Sequence, residues 1–215
     1  GDHVHLVMTS EITPLSHQAL HTLDIRTNGR GFSRIDPTLS RWIATSGIDR
    51  GVLNLTCLHT SASLTINENA DPRVLKDLAA WMDDMVPESR AYLHEDEGPD
   101  DMPAHIRTAL TCQALSLSVE SGRLLLGTWQ AVYLWEHRRA PHQRRIACHL
   151  IGTLKPDDLK PSRSSDTTTL LARRNSMRLN EAIQARHDPE AWAADGGVNT
   201  EVDLLVDRLH DLAGE

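Results

Sequence analysis

Two Asp-Pro dipeptides, at residues 36–37 and 71–72, stand between strand-like runs and limit what the chain can fold into. Aspartate is a favoured helix N-cap and proline fits the first helical position, so each dipeptide predicts the start of a helix. Gly47 is expected to end the first helix and Pro87 the second. Pro103 predicts a third, shorter helix.

Alternating or Val- and Leu-rich runs predict about five strands around these helices. The strands are His17–Arg26, Gly51–Leu58, Ala114–Val119, Leu124–Glu136 and Arg144–Ile151. Strands and helices do not alternate strictly, as they would in a doubly wound parallel sheet. We therefore predict an α+β fold, with a compact, sandwich-like mixed or antiparallel sheet and a few helices.

The composition of the chain changes at Leu154, which places a domain boundary there. Residues 17–153 form the predicted domain, and residues 154–215 form a predicted linker and helical hairpin extension. Residues 155–169 are rich in Pro, Asp, Ser and Thr, as linkers are. Apolar residues at helical spacing then predict two helices, at 170–186 and 198–212.

Charge and hydropathy exclude several classes of protein. The net charge of −8 and the small size of the basic cluster at residues 137–145 argue against nucleic-acid binding. No run reaches the roughly 20 apolar residues of a membrane helix. Three widely spaced cysteines predict reduced thiols and a cytoplasmic location.

Small hydroxyl side chains are concentrated in residues 59–71, after a buried strand and before a predicted helix. Ser61 and Ser63 are candidate donors to an oxyanion or a phosphate, and His59 stands at the start of the block. The alternative is a polar strand end followed by helix-capping residues.

His94 and His105 flank a run of carboxylates that includes Asp101. Neutral imidazoles suit zinc or a similar ion, and a nearby carboxylate can orient a ring or carry a proton. The alternatives are that these histidines bind nothing, and that Asp101 is only a helix N-cap.

The segment Gly127-Thr-Trp-Gln130 can line a pocket, and Glu136 and Arg138 follow it. Glu136 is a candidate acid or base, and Arg138 a candidate phosphate clamp. The alternatives are a core tryptophan and a glutamate that pairs with a neighbouring arginine.

These blocks, in this order, resemble the YjbQ-like family across residues 17–153. The matching blocks are His59-Thr-Ser-Ala-Ser-Leu, Asn67-Glu-Asn-x-Asp71-Pro, Tyr92-x-His94, Asp100-Asp-Met-Pro-x-His105-Ile, Gly127-Thr-Trp-Gln and Glu136-His-Arg. The resemblance implies a trimer with a metal-binding site near histidines. It also implies thiamine-phosphate synthase activity, which joins a pyrimidinylmethyl diphosphate to a thiazole phosphate and releases pyrophosphate.

From the residues and the resemblance together we expect His59, His94 and His105 to bind a divalent metal, zinc or alternatively magnesium. The catalytic residues expected are Asp101, Glu136, Ser61, Ser63 and Arg138. The substrate expected is a phosphorylated small molecule, and the alternatives are a metal-dependent hydrolase of a phosphorylated metabolite and a non-catalytic, metabolite-binding trimer.

Overall fold

Eight strands and three helices are found in residues 12–155, the part of the chain that the computed structural model describes. The strands are β1 His17–Arg26, β2 Gly31–Arg34, β3 Ile48–Cys57, β4 Ala62–Glu68, β5 Ala114–Glu120, β6 Arg123–Leu124, β7 Gln130–Glu136 and β8 Gln143–Leu154. The helices are α1 Asp36–Ser46, α2 Pro72–Met85 and α3 Asp101–Leu110. The predicted linker and helical hairpin extension follows the last described residue, Lys155, and so lies outside the described part of the chain.

The strands form two antiparallel sheets. The larger sheet has the order β1-β8-β3-β5-β6, and the smaller has the order β2-β7-β4. Every pairing within them is antiparallel. The predicted α+β, sandwich-like fold is therefore confirmed.

The larger of two apolar clusters in the described residues lies between the two sheets and α1. Its buried side chains come from α1, the larger sheet and the smaller sheet: Leu39, Ile43, Leu53, Leu55, Leu64, Leu134, Ile146 and Leu150 are all at most 1% exposed. Burial of such side chains contributes about 1.5–3 kcal/mol each before the conformational entropy cost is counted.

Two strands of the smaller sheet, β2 and β4, were not predicted. The hydroxyl-rich block contains β4, in which Ala62, Leu64 and Ile66 alternate with polar residues and point to the core. Period-two alternation is the strand signal, but the density of Ser and Thr suggested a loop.

The run predicted as one long strand, Leu124–Glu136, is instead β6 and β7 in different sheets. A turn separates them, since Gln130 N donates to Gly127 O at 3.0 Å.

The predicted helix starts are confirmed in part. Asp71 caps α2, and its side chain accepts a hydrogen bond from Arg73 N. Asp36 is the first residue of α1, and Ile35 holds the cap position; the Asp36 carboxylate accepts instead from Arg34 and from Val132 N. Helix α3 begins at Asp101, two residues before the predicted proline.

In the described part of the chain, no helix combines the length and the apolar character needed to cross a membrane. The cytoplasmic location inferred from the cysteines stays a prediction.

Candidate metal centre

Three side chains that can bind a metal converge at the start of α3. Asp101 and His105 are one helical turn apart on the same face of α3, and His94 lies in the segment before it. Asp101 Oδ2 is 2.6 Å from His94 Nε2 and 3.3 Å from His105 Nε2. One donor atom from each residue lies within 4.8 Å of the other two.

Asp101 is held ionised although its side chain is only 3% exposed. Burial alone would raise the pKa of Asp101. The hydrogen bond from His105, the positive charge of Arg138 and the hydrogen bond from His94 outweigh burial and lower that pKa to about 2. A carboxylate must be ionised to bind a cation, and Asp101 meets this condition at neutral pH.

The two histidines of the cluster reach solvent. Their side chains are 41% exposed for His94 and 33% exposed for His105. His105 Nδ1 lies 3.1 Å from Thr60 O, a contact that orients the ring and leaves Nε2 directed at Asp101. The cluster thus has a buried carboxylate at its base and a solvent-facing side.

Arg138 positions Asp101. Its guanidinium donates to Asp101 Oδ1 at 2.6 Å and to Asp100 Oδ2 at 3.1 Å, and it is almost fully buried. The predicted role of Arg138 as a phosphate clamp stays untested, but its donors are directed at these two carboxylates. The alternative reading of Asp101 as a helix N-cap does not hold, since the cap position is Asp100.

His59 is not a member of this cluster. Its Nε2 accepts a hydrogen bond from Arg145 N at 2.8 Å. Burial and the nearby charge of Arg144 lower the pKa of His59 to about 4, so the ring is a neutral acceptor. The carboxylate of Asp101 takes the third place that the sequence assigned to His59.

Glu136 and Ser61 meet in a buried network around Arg144. Glu136 accepts from Arg144 Nε at 2.8 Å and from Thr27 Oγ1 at 2.7 Å. Ser61 Oγ accepts from Arg144 Nη2 at 2.9 Å. Glu136 and Arg144 are at most 1% exposed. This geometry matches the alternative reading of Glu136 as the partner of an arginine.

Ser63 is fully buried and contacts His137, with 2.7 Å between Ser63 Oγ and His137 Nε2. The structure therefore brings together His94, Asp101, His105 and Arg138 from the predicted set. Ser61, Ser63 and Glu136 lie in buried contacts beside that cluster.

Sequence reasoning missed Arg144 and His137. The burial of Arg144 could have been inferred in part, because Arg144 alternates with exposed positions along β8 and so shares its inward face with Ile146 and Cys148. A charged residue on a core face signals a buried ion pair. For His137, no signal in the sequence indicated burial.

Fold and site together define an antiparallel two-sheet α+β protein with a solvent-facing cluster of two histidines and an aspartate. The family profile described as "UPF0047 protein YjbQ-like" matches residues 21–153, and the chain belongs to this family. A UPF0047 protein of Synechocystis is 46% identical over 147 residues, covering 68% of this chain and 99% of the relative. The YjbQ protein of Salmonella typhimurium is 42% identical, covering 61% of this chain and 96% of the relative.

Solved structures agree with the fold. A conserved YjbQ/UPF0047 family protein of Clostridium acetobutylicum is 31% identical, with a TM-score of 0.55, over 61% of this chain and 98% of that chain. A Sulfolobus solfataricus protein described as YbjQ-like and of unknown function is 21% identical, with a TM-score of 0.58, over 64% of this chain and 100% of that chain. The second likeness supports the fold alone.

These findings contradict the expectation of thiamine-phosphate synthase activity. The family description and the names of the relatives state no such activity, and one solved relative is described as having unknown function. Resemblance established the family, but it did not establish a reaction.

Proposed function

We propose that the chain is a metal-dependent enzyme acting on a small molecule, with a divalent ion bound by His94, Asp101 and His105. The observation that carries the proposal is the convergence of their donor atoms within 4.8 Å around a buried, ionised carboxylate. Three protein ligands with a solvent-facing side are the pattern of a catalytic metal site and not of a closed structural one.

The donor set favours zinc over magnesium. Magnesium prefers oxygen ligands in octahedral geometry, whereas two imidazoles and one carboxylate suit zinc and its transition-metal neighbours. When bound, such an ion would supply Lewis-acid chemistry by polarising a water or a substrate oxygen.

The residues of the chain supply orientation and charge. Arg138 fixes Asp101 through Oδ1, so that Oδ2 is left to face both imidazoles. The carbonyl of Thr60 sets the orientation of the His105 ring. Rigid support of this kind keeps ligands within the narrow geometric range that a reactive site needs.

The proposed metal binding is tested by titrating zinc into the metal-free full chain in competition with a chromophoric chelator. We expect one zinc per chain. Asp101→Asn should weaken binding by more than the roughly 10–100-fold that follows loss of an outer-sphere contact. Asp77→Asn, an exposed carboxylate on α2, is the matched control and should bind zinc as wild type does.

The enzyme proposal is tested by screening the zinc-loaded chain against a panel of small molecules. Turnover of any substrate found should fall about 100-fold or more in Asp101→Asn and stay unchanged in Asp77→Asn. Equal turnover in both variants would contradict a catalytic role for the cluster.

We also propose that the chain assembles as a homotrimer. The outward face of the larger sheet carries Leu20 and Val52, which are 73% and 39% exposed, among small polar residues such as Ser116. A partly apolar, exposed sheet face is suited to covering by another copy of the chain. The number three rests on the family resemblance alone.

Sedimentation velocity at micromolar concentration tests the assembly. We expect a species of three chains, and Val52→Lys should shift it toward the monomer by placing a charge in the covered face. The matched control is Lys76→Glu, a change at an exposed residue of α2. It should leave the sedimentation coefficient unchanged. A monomer in the wild type would contradict the proposal.

A further inference from the structure

The His94 loop, residues 86–94, begins where α2 ends and carries one histidine of the metal cluster. Its first carbonyl, that of Val86, accepts a hydrogen bond from Arg107 Nη2 of α3 at 3.1 Å. The Tyr92 hydroxyl donates to the carbonyl of Pro87 at 3.0 Å and so closes a turn within the loop. The histidine stands two residues after Tyr92, so its position depends on how this turn is held.

Glu88 holds the turn through two arginines. Its carboxylate accepts from Arg139 Nε at 3.0 Å and also pairs with Arg139 Nη2. The same carboxylate forms an ion pair with Arg30. The Glu88 side chain is only 16% exposed, and ion pairs that share one carboxylate in a network stabilise more than isolated surface pairs do.

The two arginines belong to loops that pack tightly against each other. Arg30 lies in the turn between β1 and β2, and its Nε donates to the carbonyl of His137 at 3.2 Å. In the same turn Gly29 has a φ of +98°, and a Cβ at this position would overlap the carbonyl oxygen of Arg139. Only glycine permits this backbone and this approach. The turn therefore fixes Arg30 beside Arg139.

The loop after β7 also supports the other side of the metal cluster. Arg139 N donates to Asp100 Oδ2 at 2.9 Å, and the Arg138 guanidinium joins Asp100 to Asp101. Two consecutive arginines thus reach two parts of the cluster. Arg138 holds the aspartate ligand, and Arg139 holds the His94 loop through Glu88.

We propose that Glu88 is a positioning residue for His94, an inference that rests on the proposed metal site. By fixing the His94 loop, Glu88 keeps His94 Nε2 at 2.6 Å from Asp101 Oδ2. The neighbouring side chain of Leu93 is fully exposed and gives the loop no apolar anchor. A ligand that is held in place before the ion arrives costs less ordering on binding, so Glu88 raises the affinity for the metal.

Zinc affinity, measured by chelator competition on the full chain, tests the proposal first. Glu88→Gln keeps the size of the side chain but removes its charge, and it should weaken zinc binding about 10-fold, as loss of a group that orients a ligand does. Glu120→Gln is the matched control, because it removes an exposed carboxylate that pairs with Arg50, and it should bind zinc as the wild type does. An unchanged affinity in Glu88→Gln overturns the proposal.

Two further backgrounds show whether Glu88 acts through His94. In His94→Gln the positioned ligand is absent, so adding Glu88→Gln should have no further effect on zinc affinity. In His105→Gln the positioned ligand remains, so adding Glu88→Gln should again weaken binding about 10-fold. An equal loss in both backgrounds would mean that Glu88 acts only by its charge or on the whole fold, and the proposal would be wrong.

A measurement on the metal-free chain separates this proposal from the metal site itself. NMR order parameters of the Tyr92 and His94 backbone amides should be roughly 0.85 in the wild type and fall below about 0.6 in Glu88→Gln. Glu120→Gln should retain the wild-type values. A wild type that binds no zinc would overturn the metal site, and the order parameters would still decide whether Glu88 anchors the loop; equal values in wild type and Glu88→Gln overturn that role.

Discussion

At the scale of single residues, two buried carboxylates have different surroundings and different consequences. Asp101 is engaged by Arg138 on one oxygen, and its other oxygen faces two solvent-exposed histidines. Glu136 has both oxygens occupied by Arg144, Thr27 and backbone N–H groups. Asp101 is therefore suited to bind a cation, and Glu136 is suited to stabilise the fold.

Arg138→Lys should weaken zinc binding by about 10–100-fold. Lysine keeps the positive charge but cannot bridge Asp100 and Asp101 as the planar guanidinium does, so Asp101 loses its fixed orientation. Chelator competition measures the change. Arg73→Lys, at an exposed pair with Asp71, should bind zinc like the wild type; if the two variants match, Arg138 does not position the ligand.

Glu136→Gln should lower the free energy of unfolding by about 3 kcal/mol or more while zinc affinity stays unchanged. The reason is that Arg144, which is fully buried, loses its counter-charge. Urea unfolding measures the loss. Glu120→Gln removes an exposed pair with Arg50 and should cost less than about 1 kcal/mol. A stable Glu136→Gln variant with impaired turnover would instead support the catalytic role predicted from the sequence.

At the scale of elements, β8 and β3 approach one another closely where two glycines face each other. Gly51 pairs with Gly152, and the register shifts between Ile48 and Arg50. A Cβ at Gly152 would overlap the carbonyl oxygen of Arg50 and crowd the Ile48 side chain. Backbone atoms cannot move aside as a flexible side chain does, so this pairing requires glycine.

Gly152→Ala should destabilise the fold by about 1–3 kcal/mol, the cost usual for overpacking. Thermal unfolding of the full chain measures it. Gly127→Ala is the matched control, since the new Cβ meets only the flexible side chain of Gln130, and it should cost less. Equal melting temperatures for the two variants would show that β3 and β8 adjust without strain.

At the scale of the whole molecule, burial of a neutral histidine couples folding to pH. His137 is fully buried, and its pKa falls from an ordinary 6.5 to about 3 because of burial and the charges of Arg107, Arg144 and Arg30. Between those pH values the unfolded chain binds a proton that the folded chain does not. The contribution of neutral His137 to the free energy of unfolding is therefore fully present above pH 6.5 and is lost as the pH falls toward 3.

The wild type should accordingly lose about 1 kcal/mol more stability between pH 7.5 and pH 5.5 than His137→Gln does. Urea unfolding at the two pH values measures the difference. His17→Gln, an exposed histidine of β1, should retain the wild-type pH dependence. If His137→Gln also retains it, another group is responsible.

Elements whose signals are local could be predicted from the sequence alone. The cap at Asp71, the end of α1 at Gly47 and the strands β1, β3, β5 and β8 follow from side-chain type and spacing within a few residues. His94 and His105 were also assigned to the metal site from the sequence, because they stand close together in the chain, whereas Asp101 was assigned a catalytic or orienting role and His59 the third ligand place.

Which distant residues meet depends instead on how the strands and helices pack together. Strand β7 pairs with β4 and β2, so Leu124–Glu136 had to break between two sheets, and no local signal requires that break. Glu136 and Ser61, at strand ends of the smaller sheet, meet Arg144 of β8 in the larger sheet, and Arg138 is brought to Asp101 from 37 residues away. Burial of these charges is a property of the assembled core, since each becomes stable there only when its partner arrives from another strand or helix.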